Sequence, residues 1–234
     1  MEKKQEATRA AIKLVNLSFS YTDRVIFKEL NIAIHWGRIY GFIGDNGVGK
    51  TTLFNIISGT LGIDKLGQSL PFAGDISYLQ SNNFFYPYLT GLEYLKIVGQ
   101  FHKEKIKLWN KLFELPLQHY IHDYSTGMKK KLAILGVLLL EKRIVILDEP
   151  FNGLDIKTCE LLHVIIERLK EIGCTILLSS HILETIFSHA DEIILIQNGG
   201  FLKVYDTKPF NELSHMLKEK YQYDVKCLVA QLIK

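Results

Sequence analysis

A glycine-rich segment of the sequence has the composition and spacing of a phosphate-binding loop. Residues 44–52 read GDNGVGKTT, which satisfies the GxxxxGK[ST] pattern, and they directly follow the apolar run 39–43. Glycines let a backbone curl around phosphate, while successive N–H groups and the next helix N-terminus supply positive potential. Lys50 would reach the β- and γ-phosphates, and Thr51 would offer its hydroxyl to Mg²⁺. The residues predicted to bind nucleotide in this P-loop are Asn46, Gly47, Gly49, Lys50, Thr51 and Thr52.

Two neighbouring carboxylates end a second apolar run, IVILDE at residues 144–149. At the carboxyl end of a strand beside a P-loop, Asp148 would hold Mg²⁺ through water. Glu149 would then polarise the water that attacks the γ-phosphate. Alone, such a run would be interpreted as a strand that ends in a solvated acidic turn. Together with the P-loop it indicates nucleotide hydrolysis.

Short apolar runs alternate with helical patterns along the chain, as in α/β proteins. The predicted strands cover residues 12–19, 39–43, 76–79, 144–147, 175–179 and 193–197. Several are β-branched runs without polar alternation, which is typical of strands buried on both faces of a mostly parallel sheet. The predicted helices cover residues 50–58, 125–140, 156–171 and 182–188. The NGG sequence at 198–200 predicts a hairpin turn, so the last pair of strands is expected to be antiparallel.

These elements predict one α/β domain over residues 1–206. Residues 82–123 are richer in helical and aromatic segments than their flanks, and we interpret the chain over about residues 82–140 as a helical insertion. Residues 207–234 are expected to form an amphipathic helical tail without recognisable motifs.

The composition is that of an ordinary globular protein. The 234 residues are 47% hydrophobic and 23% charged with a net charge of +3, which argues against disordered and fibrous classes. The basic residues form no stripe, so no nucleic-acid partner is expected. The longest uncharged apolar run, residues 132–140, is well short of the roughly 18 residues that a membrane span requires. Cys159, Cys174 and Cys227 lack CxxC spacing, as expected in a reducing compartment.

A pentapeptide between the P-loop and the acidic run connects the chain to a known family. Residues 124–128 read YSTGM, which is similar to the LSGGQ signature of ATP-binding cassette (ABC) ATPases. The other motifs of that family are present in order: Tyr21 matches the aromatic that stacks on adenine, Gln80 the Q-loop glutamine, residues 152–155 (NGLD, ending at Asp155) the D-loop, and His181 the switch histidine. The resemblance covers roughly residues 12–206.

The resemblance implies a fold and cofactors. The expected fold is α/β: a P-loop NTPase with a mostly parallel sheet, an N-terminal antiparallel β part and an inserted helical subdomain. The expected cofactors are ATP and Mg²⁺. The catalytic residues carried over are Lys50, Gln80, Glu149 and His181, and the metal-binding residues are Thr51, Gln80 and Asp148. Tyr21 taken alone is more typical of a core aromatic than of an adenine-stacking residue.

The resemblance also implies a shared nucleotide site. In this family two subunits form a head-to-tail dimer, in which the signature of one covers the γ-phosphate held by the other. Ser125 would cap a helix, so that its hydroxyl and the N–H of Gly127 face outward as an anion site. Asp155 in the D-loop is likewise expected to contribute to nucleotide binding.

The signature departs from the family pattern at two positions. Thr126 replaces the first glycine and Met128 replaces the glutamine. The variant, followed by basic residues, resembles the branch that serves ABC-2 type exporters, including drug and peptide-antibiotic efflux systems. The lysines at 129–131 are predicted to form a solvated helix face rather than a lipid-binding patch.

The leading hypothesis is therefore the ATP-hydrolysing subunit of an ABC transporter, an exporter, working with transmembrane permease subunits on separate chains. The second ATPase subunit would be either the same chain or a different one. The protein is expected in the cytoplasm, peripheral on the inner face of the cell membrane, with indirect membrane contact. The aromatic residues Phe84, Phe85, Tyr86 and Tyr88 either form a cleft for a permease helix or pack inside the insertion.

Two other functions compete with transport. A non-transport cassette acting on ribosomes or DNA usually carries two P-loops, or a long coiled coil between P-loop and signature, and this sequence has neither. A P-loop kinase for a small molecule would not explain the signature-like segment or His181.

Overall fold

The N-terminal part of the chain forms a two-stranded antiparallel sheet. The computed structural model describes residues 10–61, 75–98, 103–197 and 201–206. Strand β1 (Ala10–Tyr21) pairs with β2 (Arg24–His35). The predicted antiparallel part is confirmed, and its first strand is longer than expected. Strand β2 is missing from the sequence prediction because charged residues such as Lys28 interrupt its apolar positions.

A six-stranded sheet forms the centre of the structure, in the order β4-β5-β6-β3-β7-β8. Its strands are β3 (Ile39–Ile43), β4 (Ile76–Leu79), β5 (Ile144–Asp148), β6 (Thr175–Ser179), β7 (Glu192–Gln197) and β8 (Phe201–Asp206). All neighbours are parallel except β7 and β8, which are antiparallel as predicted. The turn predicted at 198–200 and the tail at 207–234 lie outside the described residues.

The register of this sheet brings three chain segments to one edge. Ser179 at the end of β6 pairs with Phe42 on one side and with Asp148 on the other. The carboxyl ends of β3, β5 and β6 therefore lie next to each other. Ligands of open α/β sheets bind at this edge.

Six helices are described. They are α1 (Lys50–Ile57), α2 (Gly91–Val98), α3 (Lys103–Phe113), α4 (Thr126–Leu139), α5 (Ile156–Glu171) and α6 (Leu183–His189). The predicted bounds of α1, α4 and α6 differ by one residue at one or both ends. Helices α2 and α3 lie between β4 and β5, where the helical insertion was expected. None of the described helices combines the length and hydropathy needed to cross a bilayer.

The sheet separates two hydrophobic clusters. Because side chains of a strand alternate between faces, Ile39 and Ile43 of β3 pack on one face, whereas Tyr40 and Phe42 pack on the other. The first cluster includes residues of α4, α5 and α6, and the second includes α1 and the β1–β2 sheet. All residues of β3, β5 and β6 are buried. This confirms the reading of these runs as strands covered on both faces.

Candidate active site

The P-loop, residues 44–49, connects β3 to α1. Gly47 and Gly49 have φ of 74° and 116°, values that residues with a Cβ rarely adopt. A Cβ on Gly49 would lie 2.7 Å from Cγ2 of Ile26 and 2.9 Å from Cζ of Phe27. Glycine is therefore required at 49 both by backbone conformation and by the close approach of β2.

Lys50 is buried at the start of α1 with its ammonium on the loop. Its Nζ donates to the carbonyl oxygens of Gly44 (2.6 Å) and Asp45 (3.1 Å). Burial lowers the pKa of Lys50, and the nearby charges of Glu149 and Asp148 act in the opposite direction. The ammonium thus lies at the mouth of the loop, close to both predicted carboxylates.

The β1–β2 sheet also contacts the P-loop, which the sequence did not indicate. Arg24, the first residue of β2, donates from Nη2 to the carbonyl oxygen of Gly47 at 2.9 Å. Its strand partner is Tyr21. The Tyr21 ring is 44% exposed and lies edge-to-face on Phe19, with ring centroids 4.8 Å apart. An aromatic surface is therefore available beside the loop, and adenine stacking by Tyr21 stays a prediction.

Asp148 accepts hydrogen bonds from two hydroxyl groups. Thr51 Oγ1 donates to its Oδ2 at 2.7 Å, and Ser179 Oγ donates to its Oδ1 at 2.6 Å. The Asp148 side chain is buried. The carboxylate and the Thr51 hydroxyl are hard oxygen donors, as Mg²⁺ prefers. The donor set fits the metal role that the sequence predicted for both residues.

Ser179 is a site residue that the sequence reasoning missed. Besides donating to Asp148, its Oγ accepts the backbone N–H of Glu149 at 3.0 Å. It therefore fixes both predicted carboxylate residues at once. The contact depends on the register of β5 against β6, which no local sequence pattern specifies.

Glu149 is buried and has an unusual backbone conformation, with φ of 50°. Its Oε2 accepts the backbone N–H of His181 at 3.1 Å. Its Oε1 lies 3.1 Å from Nε2 of His181 and forms no hydrogen bond within the described part of the chain. Burial raises the pKa of Glu149, while His181 acts to lower it. The position of the carboxylate on the cavity and the raised pKa suit a general base.

These residues surround one cavity of about 260 Å³. It is lined by Asn46, Gly47, Gly49, Lys50, Thr51, Thr52, Ser81, Asp148, Glu149 and His181. Nearly all residues predicted for the phosphate end of the site thus converge. Five predicted residues do not line this cavity: Tyr21, Gln80, Ser125, Gly127 and Asp155.

The signature segment meets the D-loop instead. Ser125 caps α4 as predicted, because its Oγ accepts the N–H of Met128 at 3.2 Å. A Cβ on Gly127 would lie 2.9 Å from the carbonyl oxygen of Gly153 in the D-loop. The glycine at 127 therefore allows the two segments to approach closely.

Asp155 caps α5 and pairs with the signature helix. Its Oδ1 accepts the N–H (2.8 Å) and hydroxyl (2.9 Å) of Thr158, and its Oδ2 lies 2.8 Å from Nζ of Lys131. The Lys131 ammonium and the Thr158 donors hold the pKa of Asp155 well below its usual range. These contacts fix the D-loop end against α4. Nucleotide binding by Asp155 stays a prediction.

A second cavity, of about 410 Å³, lies between the Q-loop, α4 and the D-loop. It is lined by Ser81, Asn82, Asn83, Phe85, Thr126, Lys129, Lys130, Asn152 and Gly153. The expectation of a solvated lysine face is wrong for Lys130, which is 7% exposed. The Q-loop covers it, with Nζ at 3.4 Å from the carbonyl oxygen of Gln80. Ser81, the residue after Gln80, lines both cavities.

The aromatic residues after the Q-loop were expected either to form a cleft for a partner or to pack inside the insertion, and the structure shows both situations. Phe84, Tyr86 and Tyr88 are 76%, 66% and 79% exposed. Phe85 instead packs against the core, with its ring centroid 5.0 Å from that of Tyr94. Three of the four rings are therefore available to a partner.

Comparisons with known proteins agree with this geometry. A family profile described as "ABC transporter" matches residues 27–152. The lantibiotic transport ATP-binding protein SrtF of Streptococcus pyogenes is 33% identical over 211 residues, 83% of this chain and 91% of that protein. The bacitracin transport ATP-binding protein BcrA of Bacillus licheniformis is 33% identical over 240 residues, 91% of this chain and 73% of that protein.

Among solved structures, the fold is similar to a dimeric post-hydrolysis state of the ATP-binding cassette MJ0796 bound to ADP and Pi. The TM-score is 0.71 at 22% identity, over 84% of this chain and 99% of that one. The predicted P-loop NTPase fold is thus confirmed, together with the family suggested by the signature-like segment. The chain belongs to the ABC transporter family, as one of its ATP-binding, ATP-hydrolysing subunits.

Proposed function

We propose that the chain powers an ABC exporter as one of two ATPase subunits that close around shared nucleotides. One observation carries this proposal: the P-loop, Asp148, Glu149 and His181 surround one cavity, whereas the signature lies against the D-loop outside it. A signature that does not line its own chain's nucleotide cavity is free to cover the phosphate in the cavity of another subunit. A related cassette has been solved as a dimer bound to ADP and Pi.

The residues of the cavity would divide the hydrolytic work. Lys50 would bind the β- and γ-phosphates, and Thr51 and Asp148, with Gln80 as a further predicted ligand, would hold Mg²⁺. When bound, this ion neutralises charge on the phosphate oxygens. Glu149 would take a proton from the attacking water.

His181 and Ser125 would contact the γ-phosphate from opposite subunits. His181 lies beside the base, with its Nε2 3.1 Å from Glu149 Oε1. Ser125 accepts the N–H of Met128, which leaves its own hydroxyl proton available for a phosphate oxygen. Closure around ATP would therefore complete both sites, and hydrolysis would release the two subunits.

The proposed partners are membrane-spanning subunits on separate chains, at the cytoplasmic face of the membrane. The exposed rings of Phe84, Tyr86 and Tyr88 suit docking, because large rigid aromatics dominate protein–protein contacts. Export is supported by the signature variant at 124–128 and by relatives named for lantibiotic and bacitracin transport. Affinity purification of the tagged chain from membranes should recover a membrane-spanning polypeptide, and recovery of ribosomes instead would contradict this assignment.

The shared site is tested by mixing two inactive variants. Lys50→Ala disables the P-loop but keeps the signature. Ser125→Asp keeps a capping side chain but places a negative charge where a phosphate should bind. Each variant alone should lose ATP turnover. A mixed dimer contains one intact P-loop facing one intact signature, so the mixture should recover turnover. A mixture no more active than the sum of its components would contradict the shared site.

A further inference from the structure

Lys130 is a buried cation that the described hydrolytic machinery does not use. It lies in the second turn of α4, five residues after Ser125, and is 7% exposed. Its Nζ is 3.4 Å from the carbonyl oxygen of Gln80 and 3.5 Å from that of Ser81. Among the described residues, no carboxylate forms an ion pair with it. The neighbouring Lys131, by contrast, pairs with Asp155 at the protein surface.

The surroundings of Lys130 connect it to the reaction centre. Burial lowers the pKa of its ammonium, while the charges of Asp148 and Glu149 act to raise it. A buried ammonium without close partners destabilises the folded protein. Here its close partners are the two Q-loop carbonyls, and its electrostatic partners are the two carboxylates of the active site.

The Q-loop backbone at Ser81 lies between the two cavities. Ser81 lines both of them, whereas Lys130 lines the one on the side of the signature and D-loop. The Lys130 ammonium therefore connects α4 to the Q-loop segment that lies between the two cavities. Asn83 supports the same carbonyl by donating from Nδ2 to Gln80 at 2.9 Å.

We propose that Lys130 is a positioning residue for ATP hydrolysis, which ties the Q-loop backbone to the signature helix so that Gln80 is held beside the nucleotide site. The proposal rests on the role of Gln80 in the proposed function. Helix α4 would then contribute to hydrolysis in two ways. Ser125, at its N-terminus, would contact the nucleotide of the opposite subunit, and Lys130 would position the Q-loop of its own chain.

The test compares the kinetics of three variants. Lys130→Met keeps the length and removes the donors, and its kcat should fall about tenfold, the loss typical of a hydrogen bond to a charged group. The KM for ATP should change less than about twofold, because the P-loop contacts stay intact. Lys130→Arg should restore most of kcat. Lys107→Met, on the exposed face of α3, is the control for removal of one positive charge and should match the wild type.

A double-mutant cycle with Gln80→Ala separates positioning from a general structural role. If Lys130 acts through Gln80, Lys130→Met should lower kcat by less than about twofold in the Gln80→Ala background. Independent, multiplying effects would overturn the proposal, as would a wild-type kcat for Lys130→Met or for Gln80→Ala. The mixing experiment with the Lys50 and Ser125 variants judges the shared site separately. If Lys130→Met does not fold, Lys130→Gln replaces it in the same cycle.

Discussion

Ser179 holds both active-site carboxylate residues through one hydroxyl group. Ser179→Ala removes the hydrogen bond donated to the buried Asp148 carboxylate and leaves the N–H of Glu149 without its acceptor. A hydrogen bond to a charged group contributes about 1.5–3 kcal/mol, and an unsatisfied buried N–H costs about 1–3 kcal/mol. The Thr51 hydroxyl still donates to Asp148. We therefore expect the free energy of unfolding to fall by roughly 3 kcal/mol.

Thermal denaturation measures this loss. For a domain of this size, about 1 kcal/mol shifts Tm by about 2–4 °C, so Ser179→Ala should lower Tm by about 6–12 °C. ATP turnover should also fall, because the Asp148 carboxylate loses one of the contacts that orient it.

The neighbouring serine provides a matched control. Ser180 is also buried, but its Oγ accepts the N–H of Ile182 at 3.0 Å in a local turn. Ser180→Ala removes the same atom and one ordinary hydrogen bond, so it should cost about 0.5–1.5 kcal/mol. If Ser179→Ala lowers Tm no more than Ser180→Ala, the reasoning about Asp148 is refuted.

Two further predictions concern the carboxylates at Glu149 and Asp155. Burial raises the pKa of Glu149 above its unfolded value, so the ionised side chain opposes folding at neutral pH. Glu149→Gln should therefore raise Tm at pH 7.5. The gain should vanish below about pH 4.3, where Glu149 is protonated in both the folded and the unfolded state. An equal gain in Tm at both pH values would argue against a raised pKa. Asp155→Ala removes the α5 cap and should lower the urea midpoint of unfolding, whereas Asp155→Asn keeps a capping side chain, loses only the ion pair with Lys131 and should lower the midpoint less. Equal losses would show that the cap contributes nothing.

The sequence predicted the parts of the site whose chemistry is local. The P-loop at 44–49 needs a strand before it, a helix after it and glycines between, and all three are contiguous. The carboxylates at Asp148 and Glu149 likewise follow four apolar residues, 144–147, that are all buried in the structure. Strand order was not required to find either element, although their meeting at one sheet edge depends on it.

The missed residues act across the sheet or between elements. Arg24 reaches the P-loop from a strand with interrupted apolar positions, and Ser179 reaches Asp148 through strand register. Lys130 belongs to a run of three lysines that reads as solvated, because helical spacing alone does not reveal that the Q-loop covers one of them. Sequence patterns report which face is apolar, but they do not report which backbone carbonyls a buried cation will meet.

The placement of Lys50 and Lys130 explains how two carboxylates are tolerated at the buried sheet edge. Lys50 begins α1, which packs in the cluster on one face of the sheet, whereas Lys130 lies in α4, which packs in the cluster on the other. Both ammonium groups are attracted by Asp148 and Glu149. Because buried charges require compensation, the two cations offset the two carboxylates from opposite faces. Removal of Lys130 therefore changes the charge balance of the site as well as the position of the Q-loop, which is why Lys130→Arg, and not only Lys130→Gln, belongs in its test.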